Sequence, residues 1–542
     1  MSAVLHAVPG GSSSKKSNDA LLEKFDSRQS GELIIGLAGP MGCGIGTIVD
    51  GLRDRLRERG YTDVVHIKLS KFLEDSLANK LVSEWGDADA SRRFVRYRRL
   101  QEAGKELRRK SKNPAILAEY AAQEIAVDRR RRQRQSSQTG QAIPAPNSPL
   151  VPGRIAYLID QVKRPEEVRL LRAIYRNLFY LLGVTRINDH RKDQLETEQV
   201  RSDETQRLID IDRLEAGDGG QQLDKTLHLA DYFIRNDATT VDEKRLKLNR
   251  FLDLVHGDKS TTPTDAEHGM YAAYAASLRS ACLSRQVGAS ISSATGEVLA
   301  TGCNDVPKAT GGLYSASFKG HDKRCVHMDG QQCFNDLYKR KLQTEIGELV
   351  DKALEKAGKG TWSLPQDDRA ELLTRIYDNT RLKDLIEFSR SVHAEMDAIV
   401  SLARLGGAGL HGATLYTTTY PCHNCARHIV AAGIMKVFYI EPYEKSLAKD
   451  LHKDAIAFEV EETKEGEPSR VEFLHYEGVA PRQFHSVFRA ASRKDSDGKY
   501  IPIRPMEADK VLPEYLDNYQ DFETKAVEHL NEEIERLRPA AN

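Results

Sequence analysis

Pro421-Cys422-His423-Asn424-Cys425 lies between a β-branched run, residues 413–419 (Ala-Thr-Leu-Tyr-Thr-Thr-Thr), and an apolar-periodic stretch, residues 426–432. The first pattern predicts a strand and the second a helix, so the two cysteines fall where a strand hands over to a helix. Three residues apart, they project from one face of the opening helix and can reach one metal ion. A helix N-terminus carries partial positive charge and unpaired N–H groups, which favour the thiolate that zinc requires. Pro421 suits the first helical turn, where its missing N–H is of no consequence. Upstream, His393 offers a third ligand, and three protein ligands leave the fourth tetrahedral position to water, the arrangement of a catalytic zinc site. Zinc lowers the pKa of such a water toward neutrality. Glu395, two residues past His393, is placed to move protons. Cys-x-x-Cys pairs also occur in structural zinc sites and redox motifs. The former want a fourth ligand, and the latter leave His393 and Glu395 unexplained.

The 542 residues are enough for two or more domains. Lysine plus arginine number 80, and so do aspartate plus glutamate, so no global charge draws the chain to nucleic acid. No apolar run reaches membrane-spanning length, the Gly/Ser-rich start lacks the hydrophobic centre of a signal peptide, and we expect a cytoplasmic protein. Seven cysteines, two of them committed to zinc, fit a reducing compartment better than a disulfide framework. A further group, His321, Cys325, His327 and Cys333, has ligand types that suit a second zinc but matches no standard spacing, and free thiols with surface histidines are the favoured reading.

Residues 33–38 (Leu-Ile-Ile-Gly-Leu-Ala) predict a buried strand that runs into a glycine-rich loop, Gly39-Pro40-Met41-Gly42-Cys43-Gly44-Ile45-Gly46-Thr47, with an amphipathic helix over 48–59. Strand, glycine loop and helix form the setting in which backbone N–H groups cradle anionic oxygens. This half resembles the P-loop kinases, and Gly39, Gly42, Gly44, Gly46 and Thr47 are its candidate nucleotide-binding residues. It departs from their pattern where the chemistry is done: Ile45 stands at the lysine position and Gly46 at the Ser/Thr position. Residues 154–160 predict another central strand ending in Asp160, a candidate magnesium-side carboxylate, and 179–184 a third. We therefore expect a kinase-like fold without phosphoryl transfer, serving nucleotide sensing or structure. The arginine run 129–134 reads as the solvated end of a helix.

The second half resembles the cytidine deaminase superfamily, and most of all its deoxycytidylate branch. The resemblance rests on His393-Ala394-Glu395-Met396-Asp397-Ala398-Ile399, on 421–426, on Cys282-Leu283-Ser284-Arg285-Gln286-Val287-Gly288-Ala289 and on Thr301-Gly302-Cys303-Asn304-Asp305. It implies a three-layer α/β/α domain with a mixed sheet, zinc held by His393, Cys422 and Cys425, and Glu395 as proton shuttle. It also implies Asn304 at the sugar; Asp305 follows where the family usually has glycine. Arg285 is a candidate for the substrate's phosphate, since a guanidinium offers paired donors, and Tyr420 for the base. Joined to the P-loop kinase-like half, this resembles the bacterial anti-phage dCTP deaminases. That resemblance implies deamination of dCTP, and of dCMP, to deoxyuridine nucleotides, a regulatory nucleotide at the first half, an unidentified inhibitor or regulator, and a homo-oligomer. The expected α/β organisation is a flexible start (1–30), a P-loop kinase-like domain of parallel sheet and flanking helices (31–250, with an exposed insertion at 129–152), a linker (251–266), the deaminase domain (267–490) and a C-terminal helical tail (491–542). The competing readings are a deaminase acting within RNA or single-stranded DNA, and a nucleotide sensor carrying a relict deaminase.

Overall fold

The computed structural model describes residues 29–138, 153–213, 220–237, 240–318, 321–328, 330–357, 365–406, 409–442, 446–458, 469–489, 493–494, 496–502, 506, 510–515 and 519–538. Residues 1–28 of the expected flexible start, and 139–152 of the expected insertion, lie outside them. The chain divides into two compact units, one made of residues up to Thr262 together with those from Glu477 onward, the other Pro263–Tyr476.

The first unit is built on a sheet whose five parallel strands are β1 (Leu33–Ala38), β2 (Asp63–Lys68), β3 (Ile155–Asp160), β4 (Phe179–Thr185) and β5 (Tyr232–Arg235). Across the sheet they run β2-β3-β1-β4-β5, and a short antiparallel strand, Gly478–Val479, closes the β5 edge. β1 is buried at every position, as befits a central parallel strand covered on both faces, which is why it reads as an unbroken apolar run. Beyond it the chain turns through Gly42 and Gly44, at φ 78° and 76°, conformations open to glycine. Helix α1 then begins at Ile45, earlier than the sequence pattern suggests, and runs to Glu58. Ile45, Ile48, Val49, Leu52 and Leu56 are its buried face. Ile45 is thus a core residue, which explains an apolar side chain where a phosphate-binding loop would carry lysine.

The arginine run departs from expectation at Arg129 and Arg132, while Arg130, Arg131 and Arg134 are exposed as a solvated helix end would be. Helix α2 (Ile116–Gln138) continues straight through it, so residues 129–138 of the expected insertion are helical. Arg129 is only 5% exposed. Its Nε and Nη2 donate to the two carboxylate oxygens of Glu32 at 3.0 and 2.9 Å, and Nη2 also reaches Glu523 Oε2 at 3.2 Å. Tyr519 donates to Glu32 (2.8 Å) and Tyr175 to Glu523 (2.7 Å). Arg132 is paired with Asp128 and Asp63. Glu523 lies on the helix Gln520–Leu537, so the expected tail is anchored in this unit's core by a shared cation.

The second unit holds a mixed sheet ordered β10-β11-β9-β8-β6-β7, where β6 is Gly288–Ser292, β7 Val298–Cys303, β8 Thr414–Thr419, β9 Lys436–Glu441, β10 Ile456–Phe458 and β11 Val471–His475. β6 is antiparallel to both β7 and β8, and the remaining pairs are parallel. The helix Asp265–Ser277 opens the unit inside the expected linker, with Thr264 and Glu267 forming a capping box. Two glycines let helices approach the sheet. A Cβ on Gly288 would lie 1.9 Å from Ala273 O of that helix, and one on Gly302 2.2 Å from Ala394 O of the helix Ala394–Arg404. Gly288 and Gly302 fall on opposite faces of the β6–β7 pair, since Ala289 pairs with Gly302 and Gly288 with Cys303. The sheet is therefore covered on both sides, the three layers expected of this half.

Removing Arg129 would strand two buried carboxylates. We expect Arg129→Ala to destabilise the first unit by about 3–5 kcal/mol, read as a lowered urea midpoint. Arg131→Ala, on the exposed side of the same helix, should change it by less than about 0.5 kcal/mol.

Candidate metal-centred active site

Two helix starts converge at the end of β8. Cys422 is the N-cap residue of the helix His423–Ala431, its backbone extended at φ −67°, ψ 163°, and its sulfur accepts from Cys425 N at 3.4 Å. Pro421 therefore stands before the cap, outside the first helical turn where the sequence reading put it. His393 is in turn the N-cap residue of Ala394–Arg404. Its Nδ1 lies 3.2 Å from Cys422 Sγ and 3.4 Å from Cys425 Sγ. One tetrahedral zinc with ordinary Zn–N and Zn–S bonds holds such a pair of donors about 3.6 Å apart. The donor set, one imidazole and two thiols within 4.8 Å of one another, fits zinc. Among the described residues it is the one His/Cys/Asp/Glu group that close together.

The three groups share their protons. Cys422 is held down to about 4, first by the hydrogen bond from Cys425 and then by His393. His393 rises to about 9 through its bond to Cys422, and Cys425 is pushed up by its bond to Cys422 and by burial. Deprotonated sulfur beside imidazole is what a dication displaces protons to obtain. Glu395, in the first turn of the same helix as His393, is 4% exposed, and burial pushes its carboxyl up to about 7.

Long-range bonds set the position of His393. Asp397 accepts from Cys303 N at 3.1 Å, pinning the helix to β7 over Gly302. Val392 N donates to Asp305 O at 3.0 Å. The Asp305 side chain, 1% exposed, accepts from Ala281 N and its own neighbour Val306 N. It stabilises these loops and is absent from the lining of the cleft, so its departure from glycine is structural.

A cleft of about 130 Å³ opens over the cluster, with His393, Glu395 and Cys422 in its lining. Asn304 lines it too, and its side chain ties down the adjoining loop: Oδ1 accepts from Val287 N (2.7 Å) and Nδ2 donates to Arg285 O (2.8 Å). Each atom keeps capacity for one more bond. Arg285 lines the mouth, its side chain 45% exposed and 3.6 Å from Glu441. Tyr420 packs edge-on against Tyr439 and Phe473 and presents to the cleft. Sequence reasoning missed the opposite wall, made by Asn335, Ile386, Ser389, Arg390 and Ser391. Arg390, three residues before His393, was the available signal. Cys325 and Cys333 are on this wall as free thiols, and His327 faces Asp322 at 3.4 Å, so the four residues considered for a second zinc do not gather.

In the first unit the glycine loop borders a separate cleft of about 410 Å³, lined also by Asp160, Arg186, Asn236 and Lys244. Gly42, Gly44, Gly46 and Thr47 all line it, whereas Gly39 does not, its carbonyl accepting from Lys163 Nζ at 2.8 Å. The Thr47 hydroxyl donates to Gly44 O at 2.9 Å and receives a bond from Asn236 at 3.2 Å. Asp160 lies 3.2 Å from His66. The buried Asp212 takes both the Met41 N–H (2.7 Å) and Lys163 Nζ (2.8 Å). Arg186 and Lys244 line this cleft together with the carboxylates of Asp160 and Glu198.

Residues 263–441 match the family described as the cytidine and deoxycytidylate deaminase zinc-binding region. This region is a deoxycytidylate deaminase-type cytidine deaminase domain. The chain is 46% identical over 55 residues to the deoxycytidylate deaminase of Enterobacteria phage T4, covering 10% of this chain and 28% of that protein. It is 43% identical over 56 residues to ComE operon protein 2 of Bacillus subtilis (strain 168), covering 10% and 29%. The chain thus spans less than a third of the length of either relative. A crystal structure of dCMP deaminase from the cyanophage S-TIM5 with dCMP and dUMP matches 40% of this chain and 98% of that one, at 19% identity and a TM-score of 0.22, which carries no weight. No helix among the described residues is long and apolar enough to cross a membrane.

Because Gly302 sets the seat of the helix that carries His393 and Glu395, Gly302→Ala should lower bound zinc several-fold by elemental analysis. Gly86→Ala, where a Cβ meets nothing within 4 Å, should leave zinc content unchanged.

Proposed function

We propose that this protein hydrolytically deaminates deoxycytidine nucleotides, dCTP and dCMP, to the corresponding deoxyuridine nucleotides. The observation that carries the reading is the convergence of His393, Cys422 and Cys425 on one point, with the buried Glu395 beside them in the floor of a cleft. When bound, zinc supplies Lewis acidity that makes water nucleophilic near neutral pH. His393, Cys422 and Cys425 hold it. The Glu395 carboxylate takes a proton from the attacking water and delivers it to ring N3 of the cytosine, then takes the proton of the hydroxyl so formed at C4 and passes it to the amine, which departs as ammonia as the C4 carbonyl forms. Its burial keeps bulk solvent from intercepting that proton. Tyr420, Val287 and Ile386 offer apolar surface for the base, and the remaining hydrogen-bonding capacity of Asn304 suits the sugar.

The free-nucleotide reading is favoured over a polynucleotide one by the fate of the arginine run. Its members Arg129 and Arg132 are engaged by carboxylates of the first unit, which takes two of its cations away from a nucleic-acid backbone. For the first unit, the parallel order β2-β3-β1-β4-β5, with a glycine loop directly after the central strand, supports a P-loop kinase-like fold. With Ile45 in the core, the reading is a nucleotide-responsive control domain rather than a phosphoryl-transfer enzyme. A deaminase under such control, acting on the dCTP pool together with a regulator, fits an anti-phage role by starving viral DNA synthesis.

Purified protein incubated with dCTP, dCMP and cytidine should release ammonia and give deoxyuridine products from the deoxynucleotides, and no turnover of any of them with zinc bound would defeat the proposal. Glu395→Ala should keep zinc and fold while turnover falls by at least about 10²-fold. Cys422→Ala should lose the metal. Near-normal activity in the Glu395 variant would refute the proton-transfer role.

A further inference from the structure

We propose that Arg390 is the residue that receives the substrate's phosphate and so sets the preference for nucleotide over nucleoside. This rests on the deaminase reading above and adds the recognition element to it. Four charged residues line the cleft: His393 and Glu395 on the floor, and the two guanidiniums of Arg285 and Arg390. The cleft is therefore cationic away from the metal cluster, the polarity that a base leading a phosphate would meet.

The two arginines differ in what already holds them. Arg285 faces the carboxylate of Glu441 at 3.6 Å, and that carboxylate also accepts from Thr419 Oγ1 at 2.9 Å. An anion at Arg285 has to compete with a resident one. Arg390 is positioned by neutral groups instead. Its Nη1 donates to Lys323 O at 3.1 Å and lies 4.0 Å from Cys325 Sγ and beside the Met328 thioether, and its guanidinium sits over the Phe334 ring at 5.2 Å. Among the described residues no ion pair joins it to a carboxylate. A partly buried guanidinium with five donors and one carbonyl partner is poised for an oxyanion, and the aromatic and backbone contacts fix its plane before the ligand arrives.

Its backbone also lies within a bounded reach of the chemistry. Its Cα lies three positions from that of His393, a span of at most about 11 Å, and Val392 between them donates its N–H to Asp305 O. A backbone separation of that size, with the reach of the arginine side chain, accommodates a nucleoside between its reacting carbon and its 5′-phosphate. On the same wall Asn335 donates to Leu385 O at 3.0 Å, while its buried Oδ1 has no partner, an acceptor suited to a sugar hydroxyl.

The test is steady-state deamination of deoxycytidine, dCMP and dCTP by the zinc-loaded wild-type protein and by Arg390→Ala and Arg390→Lys, with zinc content measured for each. A charge-assisted contact of this kind predicts a KM for the nucleotides raised about 10- to 100-fold in Arg390→Ala, with kcat and deoxycytidine turnover unchanged and partial rescue by lysine. If the wild type turns deoxycytidine over too slowly, calorimetric binding of dUMP against deoxyuridine gives the same comparison. Equal loss for nucleoside and nucleotides would mean that Arg390 only supports the cleft wall, and nucleotide KM values within twofold of wild type would mean that it does not meet the phosphate. Either result overturns the proposal. A wild type inactive on all three substrates with zinc bound would instead overturn the deaminase reading beneath it.

Discussion

The close seating of one helix on one strand governs the second unit. Helix Ala394–Arg404 lies so near β7 that Gly302 has no room for a side chain, and Asp397 locks the contact by accepting from Cys303 N. That seating brings the extended residue His393 to the point where β8 ends and Cys422 caps the next helix. Two helix N-termini aimed at one point concentrate positive potential and unpaired N–H groups where two sulfurs must give up protons. Ligand geometry, thiolate chemistry and the placement of Glu395 all follow from that one packing contact.

Charge is handled in opposite ways in the two units. Around Arg129 the first unit saturates a buried guanidinium with two carboxylates and surrounds those with tyrosine hydroxyls, so the cation is spent on joining strand, long helix and C-terminal helix. Arg390 in the second unit is oriented by a carbonyl, sulfur atoms and an aromatic ring. The first arrangement closes a network and the second leaves one open. The glycine-loop cleft is intermediate: Asp212 occupies Met41 N–H and Lys163, while Arg186 and Lys244 still face the cavity.

Much of the architecture was legible because its signals are local. The apolar run 33–38, the run 413–419, and the cysteine pair at a strand-to-helix junction each announce themselves within a few residues, and the structure has β1 and β8 there within one residue at either end. Where the reading slipped, a long-range partner was responsible. Arg129 looks like part of a solvated helix end until Glu32 and Glu523, remote in sequence, are brought against it. Pro421 looks like a first-turn proline until the Cys422 sulfur takes the capping bond. The cleft-lining residues around Arg390 carry no motif of their own in the sequence.

The sequence by itself determined which atoms can bind the metal and which carboxyl stands beside them, because ligand chemistry and helical spacing are properties of adjacent residues. It also determined that the glycine loop carries no lysine. Only the tertiary structure decided which arginines are spent and which remain available, and whether Asp305 serves the substrate or the fold. Ion pairing and burial depend on groups that chain folding brings together across tens or hundreds of residues, and a side chain's type carries no record of its partner.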